Sequence, residues 1–139
     1  FNSSYLSGKH SFSVDTKGPE YTNVGAEPST AEIEVDDVTC HVKWSDQGSG
    51  VSSVDIAENS SGSFVNHSIS ESSGWYNYTI SSSDLSVGGY ECRFYSSDGV
   101  GNTNSTSISF SVEDTVSPSI DIVSPDNTTF GVDEVTAEF

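Results

Sequence analysis

The side chains best suited to chemistry lie in two glycine-rich segments, one around Asp46 and the other around Asp98 and Asn102. The oxygen atoms of Asp and Asn are ligands that Ca²⁺ prefers, and Asp15 or Asp114 could add a further ligand from a linker. The same residue types also favour tight turns, because Asp and Asn hydrogen-bond to nearby backbone groups and Gly adopts positive φ. The sequence leaves both interpretations open, a calcium site and loops shaped by turn chemistry.

Residues typical of catalysis do not occur in a recognisable arrangement. His10, His41 and His67 are far apart and lack neighbours at metal-ligand spacing, so no zinc site is expected. The sequence contains no HExxH, no GxSxG and no phosphate-binding glycine loop. Carboxylates are so numerous that a close pair would arise by chance, which leaves a glycosidase unsupported. We therefore expect no enzyme activity and no cofactor other than calcium.

Two cysteines, Cys40 and Cys92, are 52 positions apart, which excludes a CxxC redox or zinc motif. Free thiols, a redox pair and a disulfide are all conceivable, and we expect the disulfide. Closing a loop of this size stabilises a fold by about 4 kcal/mol in the chain-entropy model. A disulfide places the protein outside a reducing cytosol.

Glycosylation sequons are unusually frequent, since six of the eight asparagines occur as Asn-x-Ser/Thr. A Ser-rich surface could generate some of them by accident, but we expect a heavily N-glycosylated extracellular protein. The sequons begin at Asn2, Asn59, Asn66, Asn77, Asn104 and Asn127.

The overall charge excludes two classes of partner. Four Lys and Arg against 21 Asp and Glu give a net charge of −17, whereas nucleic acids and anionic lipids need a cationic face. No apolar run approaches the roughly 18 residues of a membrane span, so no direct membrane insertion is expected.

The elements that must position these side chains are short strands. Apolar residues alternate with polar ones in several segments separated by turn residues, and no helical period is present. Strands with one buried face indicate antiparallel sheets packed as a sandwich, and this number within about 100 residues is typical of an immunoglobulin-like fold. The predicted strands are residues 31–35, 38–44, 51–56, 75–80, 90–94 and 108–112.

Within this fold, Cys40 and Cys92 both point inward, so their bond would cross between the sheets. Tyr90 lies two residues before Cys92, the position of a tyrosine corner. The buried Trp expected on strand C of an antibody-type domain is missing, because Trp44 and Trp75 lie on other strands. We therefore expect an Ig-like architecture that is not of the antibody type.

An internal repeat indicates how the modules are organised. The residues SFSVDT at 11–16 recur as SFSVEDT at 109–115, an offset of about 98, and residues 38–42 align with 135–139. Such a period corresponds to one Ig-like module. Together with Phe1 as the first residue, it predicts a piece of a longer protein. Residues 1–15 would be the last strand of a preceding repeat, 16–114 a complete domain, and 115–139 the first strands of a following repeat.

Four motifs resemble the tandem Ig-like repeats of large archaeal and bacterial cell-surface proteins. They are SDQGSGVSSV at 45–54, DLSVGGYEC at 84–92, SDGVGN at 97–102 and FSVEDTVSP at 110–118. The resemblance covers essentially the whole chain. It implies an extracellular stalk, adhesin, surface-layer or filament component, with no particular ligand.

The functional expectation is a structural module of an extracellular, glycosylated surface fibre. Its partners would be neighbouring modules in one chain, joined end to end. Alternatively, the incomplete flanking strands would pair with identical subunits by donor-strand complementation and build a homopolymer. A second class of function is an adhesin or receptor domain that recognises a glycan or protein, on another cell surface for example, through the loops at one end.

Overall fold

A computed structural model of the chain describes residues 14–121. Its ordered elements are nine strands and one short 3₁₀ helix. They are β1 (Glu20–Glu27), β2 (Thr30–Glu32), β3 (Val38–Ser45), β4 (Val51–Glu58), β5 (Val65–Ile69), β6 (Glu71–Ser72), β7 (Trp75–Ile80), the 3₁₀ helix Ser82–Asp84, β8 (Gly88–Asp98) and β9 (Thr103–Glu113). Among these residues no helix has the length and apolar character needed to cross a membrane.

The strands form two packed sheets. One has the order β1-β3-β7-β6 and the other β2-β9-β8-β4-β5. All pairings are antiparallel except that of β2 with β9. The chain crosses from the first sheet to the second between β1 and β2. The prediction of an all-β sandwich is confirmed.

The core lies between the sheets and follows the alternation in the sequence. On β3, Val38, Cys40, Val42 and Trp44 are buried, while the residues between them are partly exposed. Cys40 forms a disulfide with Cys92 of β8, which confirms the expected pair and joins the two sheets through the centre of the core.

One predicted strand is shorter than expected. The alternation of apolar residues at 31–35 predicts a strand, but β2 ends at Glu32. Glu34 has a φ of 61°, and the amides of Val35 and Asp36 donate to the carbonyl of Glu32, so the chain turns there. Val35 consequently remains 67% exposed. The turn takes residues 33–35 out of the sheet. At the same level β9, the partner of β2, ends at Glu113, so no paired strand continues beside these residues.

The sandwich, residues 20–113, falls inside the predicted complete domain of residues 16–114. The predicted last strand of a preceding repeat and most of the predicted following repeat lie outside the described residues. Strands β1, β5 and β6 were not predicted from the sequence.

Candidate functional site

Three carboxylates meet at the end of the sandwich where the chain enters. We call this end the N-terminal pole, formed by residues 14–19, 46–50 and 98–102. Asp15 comes from the segment that precedes β1, Asp46 from the β3–β4 loop, and Asp98 from the end of β8. One oxygen atom from each lies within 4.8 Å of the others. The candidate calcium ligands Asp46 and Asp98 are thus brought together, and Asp15 completes the group.

Asp46 and Asp98 each shape their own loop. The Asp46 Oδ2 atom accepts a hydrogen bond from the amide of Gly50 at 2.7 Å, where the backbone has a φ of 79°. The Asp98 Oδ1 atom accepts from the amides of Val100 at 3.0 Å and Asn102 at 2.8 Å. This is the turn chemistry that the sequence left open.

Asp15 connects the incoming linker to the domain. Its Oδ2 atom accepts from both the amide (2.8 Å) and the hydroxyl (2.9 Å) of Ser49, and its Oδ1 atom accepts from the amide of Lys17 at 3.2 Å. The Nδ2 group of Asn102 donates to Oδ2 of Asp98 at 2.7 Å and to the carbonyl of Lys17 at 3.2 Å. The linker is therefore held by both loops.

The carboxyl group of Asp98 is the most buried of the three, at 3% exposure for the residue. Burial alone would raise the pKa of Asp98, but hydrogen bonds from the Asn102 side chain and from the backbone of Val100, Gly101 and Asn102 outweigh it and lower the pKa. Asp98 is therefore a carboxylate at neutral pH and contributes a negative charge to the cluster.

The donor set fits a hard cation. Three carboxylates offer one oxygen each at a spacing that one Ca²⁺ could span, and a depression of about 500 Å³ lined by Asp15 and Asp46 adjoins them. Asn102, which was expected as a ligand beside Asp46 and Asp98, uses its side-chain nitrogen as a donor. In this arrangement it orients Asp98 and the linker.

The opposite end of the sandwich holds the outgoing chain in a similar way. We call it the C-terminal pole, formed by residues 32–36, 86–88 and 113–115. The amide and hydroxyl of Thr115 donate to the Glu32 carboxylate, at 3.0 and 2.5 Å, and the amide of Ile33 donates to the carbonyl of Glu113 at 2.9 Å. At the same pole, the Tyr90 hydroxyl donates to the carbonyl of Ser86 at 2.8 Å and accepts from its amide at 2.9 Å. This contact defines a tyrosine corner.

The remaining candidate residues are dispersed. Among the sequon asparagines, Asn59, Asn66, Asn77 and Asn104 lie within the described residues, whereas Asn2 and Asn127 do not. His41 lies on the outer face of β3 against Trp75, with ring centroids 5.2 Å apart. His10 falls outside the described residues.

Sequence reasoning missed one polar group between the sheets. Glu58 is 5% exposed, and its Oε1 atom lies 3.3 Å from Nε2 of His67, which also lies 3.1 Å from the Tyr78 hydroxyl. Burial raises the pKa of Glu58, but hydrogen bonds from Ser60 and His67 outweigh it, so its pKa is lowered. Both partners use the same nitrogen of His67, so the group lacks the two-nitrogen relay that orients a catalytic base. It joins β5 of one sheet to β7 of the other.

Comparison with known proteins gives no family. No family model matches the chain, and no curated protein matches it. Two solved structures resemble it weakly. An engineered protein is 15% identical with a TM-score of 0.43, over 70% of this chain and 20% of that chain. The endo-beta-1,4-mannanase from Thermotoga petrophila is 13% identical with a TM-score of 0.48, over 67% of this chain and 20% of that chain. The chain thus spans about a fifth of the length of each, and neither resemblance bears on function.

Proposed function

We propose that this chain is a structural module of an extracellular, glycosylated surface fibre in which Ig-like units are joined end to end. The observation that carries the proposal is the path of the chain. It enters at the N-terminal pole, where Glu20 pairs with Ser45, and leaves along β9, whose last paired residues lie beside Gly88 at the opposite pole. A module whose termini lie at opposite poles extends a chain along one axis.

The contacts of the two linkers add to this support. Asp15 of the incoming linker accepts a hydrogen bond from Ser49 of this module, which follows that linker. Thr115 of the outgoing linker donates a hydrogen bond to Glu32 of the same module, which precedes that linker. The two linkers share the dipeptide Asp-Thr, as residues 15–16 and 114–115. In a tandem array each linker would make both contacts, Asp with the next module and Thr with the previous one. Such a linker limits bending between modules.

The dimensions of the sandwich set the test. The longest strand, β8, has 11 residues, which at about 3.3 Å per residue gives roughly 36 Å. With its linker, each module should advance a fibre by about 40 Å. Electron microscopy of the native polypeptide is expected to show elongated particles with this axial repeat. Compact particles without a repeat would overturn the proposal.

A calcium ion at the N-terminal pole would fit the same role. We propose that Ca²⁺ bound by Asp15, Asp46 and Asp98 would tie the linker to both loops and relieve the repulsion among three like charges.

The alternative function, an adhesin or receptor domain, lacks a specific observation in its favour. Binding hot spots are enriched in Trp, Tyr and Arg. The described segments of the N-terminal pole contain none of these residues, and their one cationic side chain is Lys17. Strand complementation depends on the flanking segments 1–15 and 115–139, most of which lies outside the described residues. The disulfide indicates an oxidising compartment, and an extracellular location remains part of the proposal.

A further inference from the structure

The chain passes between the sheets at both lateral sides of the sandwich, from β1 to β2 at one side and from β5 to β6 at the other. At the second side β5 is the last strand of its sheet, and β6 pairs with β7 only at Trp75 and Tyr76. We call β5 together with residues 77–80 of β7 the open side. Within the described residues, no strand pairs with these outer edges.

An unpaired strand edge presents backbone donors and acceptors to any other strand, which makes it a site of aggregation. Proteins commonly protect such edges with Lys, Pro or a bulge. The open side reads VNHSI in β5 and NYTI in β7, with neither Lys nor Pro, and no bulge interrupts the pairing of β4 with β5. None of these three devices protects the open side.

Each edge of the open side carries a sequon. Asn66 is the second residue of β5, and Asn77 is the first residue of β7 beyond its pairing with β6. Both side chains are exposed, and neither makes a hydrogen bond within residues 14–121. The other two described sequon asparagines are engaged. Asn59 accepts from the amide of Glu91 at 2.8 Å, and Asn104 donates to the carbonyl of Pro19 at 2.8 Å.

We propose that N-linked glycans on Asn66 and Asn77 cover the open side and block lateral pairing of strands. In each modification the Nδ2 atom of the asparagine attacks the anomeric carbon of a polyisoprenoid-phosphate-linked oligosaccharide. A C–N bond forms, the C–O bond to the phosphate breaks, the amide loses one proton, and the lipid phosphate leaves. No atom changes oxidation state overall. The proposal needs glycosylation but does not depend on fibre formation.

An aromatic residue precedes each of these asparagines by two positions: Phe64 just before β5, and Trp75 at the start of β7. Phe64 is 41% exposed, and the guanidinium of Arg93 lies 3.8 Å from its ring centroid. Arg93 pairs with Ala57, which in turn pairs with Asn66, so the partly exposed Phe64 ring lies on the same outer face as Asn66. The first sugar ring can pack against this ring.

The corresponding residue before Asn77 is Trp75. Its ring contacts the ammonium group of Lys43 at 4.3 Å and the ring of His41 at 5.2 Å. His41 is also the residue directly opposite Asn77 across the strand pair. A glycan on Asn77 would thus begin beside the rings of Trp75 and His41. Packing against these rings would favour a position of the glycan over the unpaired edge of β7.

The test uses the 139-residue chain secreted from a eukaryotic host that performs N-glycosylation. Peptide mass spectrometry after enzymatic deglycosylation in heavy-oxygen water gives the occupancy of each sequon. Sedimentation velocity then compares the wild type with N66Q/N77Q and with S68A/T79A, which removes the same two sequons and keeps both asparagines. The variant N59Q/N104Q is the matched control, because it also removes two sequons but leaves the open side covered.

We expect high occupancy at Asn66 and Asn77 in the wild type. Both variants that lose these sequons should self-associate at least about tenfold more tightly than wild type, which corresponds to about 1.4 kcal/mol. The control should associate like the wild type.

Two results would overturn the proposal: empty Asn66 and Asn77 sites in the wild type, or variants that associate no more than N59Q/N104Q. Association driven by the flanking segments is common to all variants and cancels in the comparison. The axial repeat that tests the proposed fibre is measured separately, so one proposal can fail without the other.

Discussion

Replacing Asp15 with alanine should loosen the incoming linker without unfolding the sandwich. The substitution removes the acceptor of three hydrogen bonds, from the amide and hydroxyl of Ser49 and the amide of Lys17. A hydrogen bond to a charged group contributes about 1.5–3 kcal/mol, and we take about 1 kcal/mol for the Ser49 amide because the contact is exposed. One kcal/mol corresponds to about a fivefold change in an equilibrium constant.

The measurement is amide hydrogen exchange by NMR. In D15A, the Ser49 amide should exchange about five times faster than in the wild type, while amides of the core strands exchange at unchanged rates. D15N keeps an acceptor oxygen and should show a smaller effect. D114A is the matched control, since Asp114 occupies the equivalent place in the other linker and does not contact Ser49. Unchanged exchange at Ser49 in D15A, or an equal acceleration in D114A, would refute the reasoning that Asp15 holds the linker.

Three further outcomes are expected. Replacing Cys40 and Cys92 together with alanine should lower the free energy of unfolding in urea by about 4 kcal/mol, since the bond closes a loop of 52 residues; a loss below about 1 kcal/mol would contradict this. The pKa of Glu58 is lowered in the folded state, so its stabilisation is present above its usual pKa near 4.5 and is lost as the pH falls through the lower folded value. E58Q should therefore show a weaker fall of Tm on acidification than the wild type, and equal slopes would disprove that assignment. Calcium at about 100 times its Kd should stabilise the wild type by about 2.7 kcal/mol relative to chelator, and D46N should abolish the difference; a wild type indifferent to calcium would eliminate the site.

The sequence predicts best where an apolar side chain alternates with a polar one on a buried strand. The alternation around Cys40 and Cys92 is regular, so the strands β3 and β8 and the disulfide between them follow directly. Strand β5 has the opposite character. Its partly buried positions are occupied by His67 and Ile69, and its exposed ones include Asn66 and Ser68. Because the polar residue His67 occupies the inner position at the centre of β5, the sequence of this strand does not show the alternation of apolar and polar residues.

Contacts between distant segments were less accessible to prediction. That Asp46 and Asp98 lie near each other follows from placing two loops at the same end of a sandwich. The contact of Asp15 with Ser49 joins residues 34 positions apart and depends on the path of a linker that has no periodic pattern. The contacts of His67 with Glu58 and with Tyr78 depend on how closely the two sheets approach at the open side, which no single strand encodes.

Ends and sides of the module differ in a way that favours growth along one axis. Both poles hold a linker through side-chain hydrogen bonds, whereas β5 and residues 77–80 of β7 have an outer edge without a partner strand within the described residues. The net charge of −17 opposes lateral contact at these edges. This repulsion decays over about 8 Å at physiological ionic strength and over about 3 Å in 1 M salt. A glycan excludes a neighbouring strand by its volume, which salt does not screen. Lateral association of the chain lacking glycans at Asn66 and Asn77 should therefore increase with salt, whereas the glycosylated chain should remain unaffected. The difference separates the steric contribution of the glycans from the electrostatic contribution of the acidic surface.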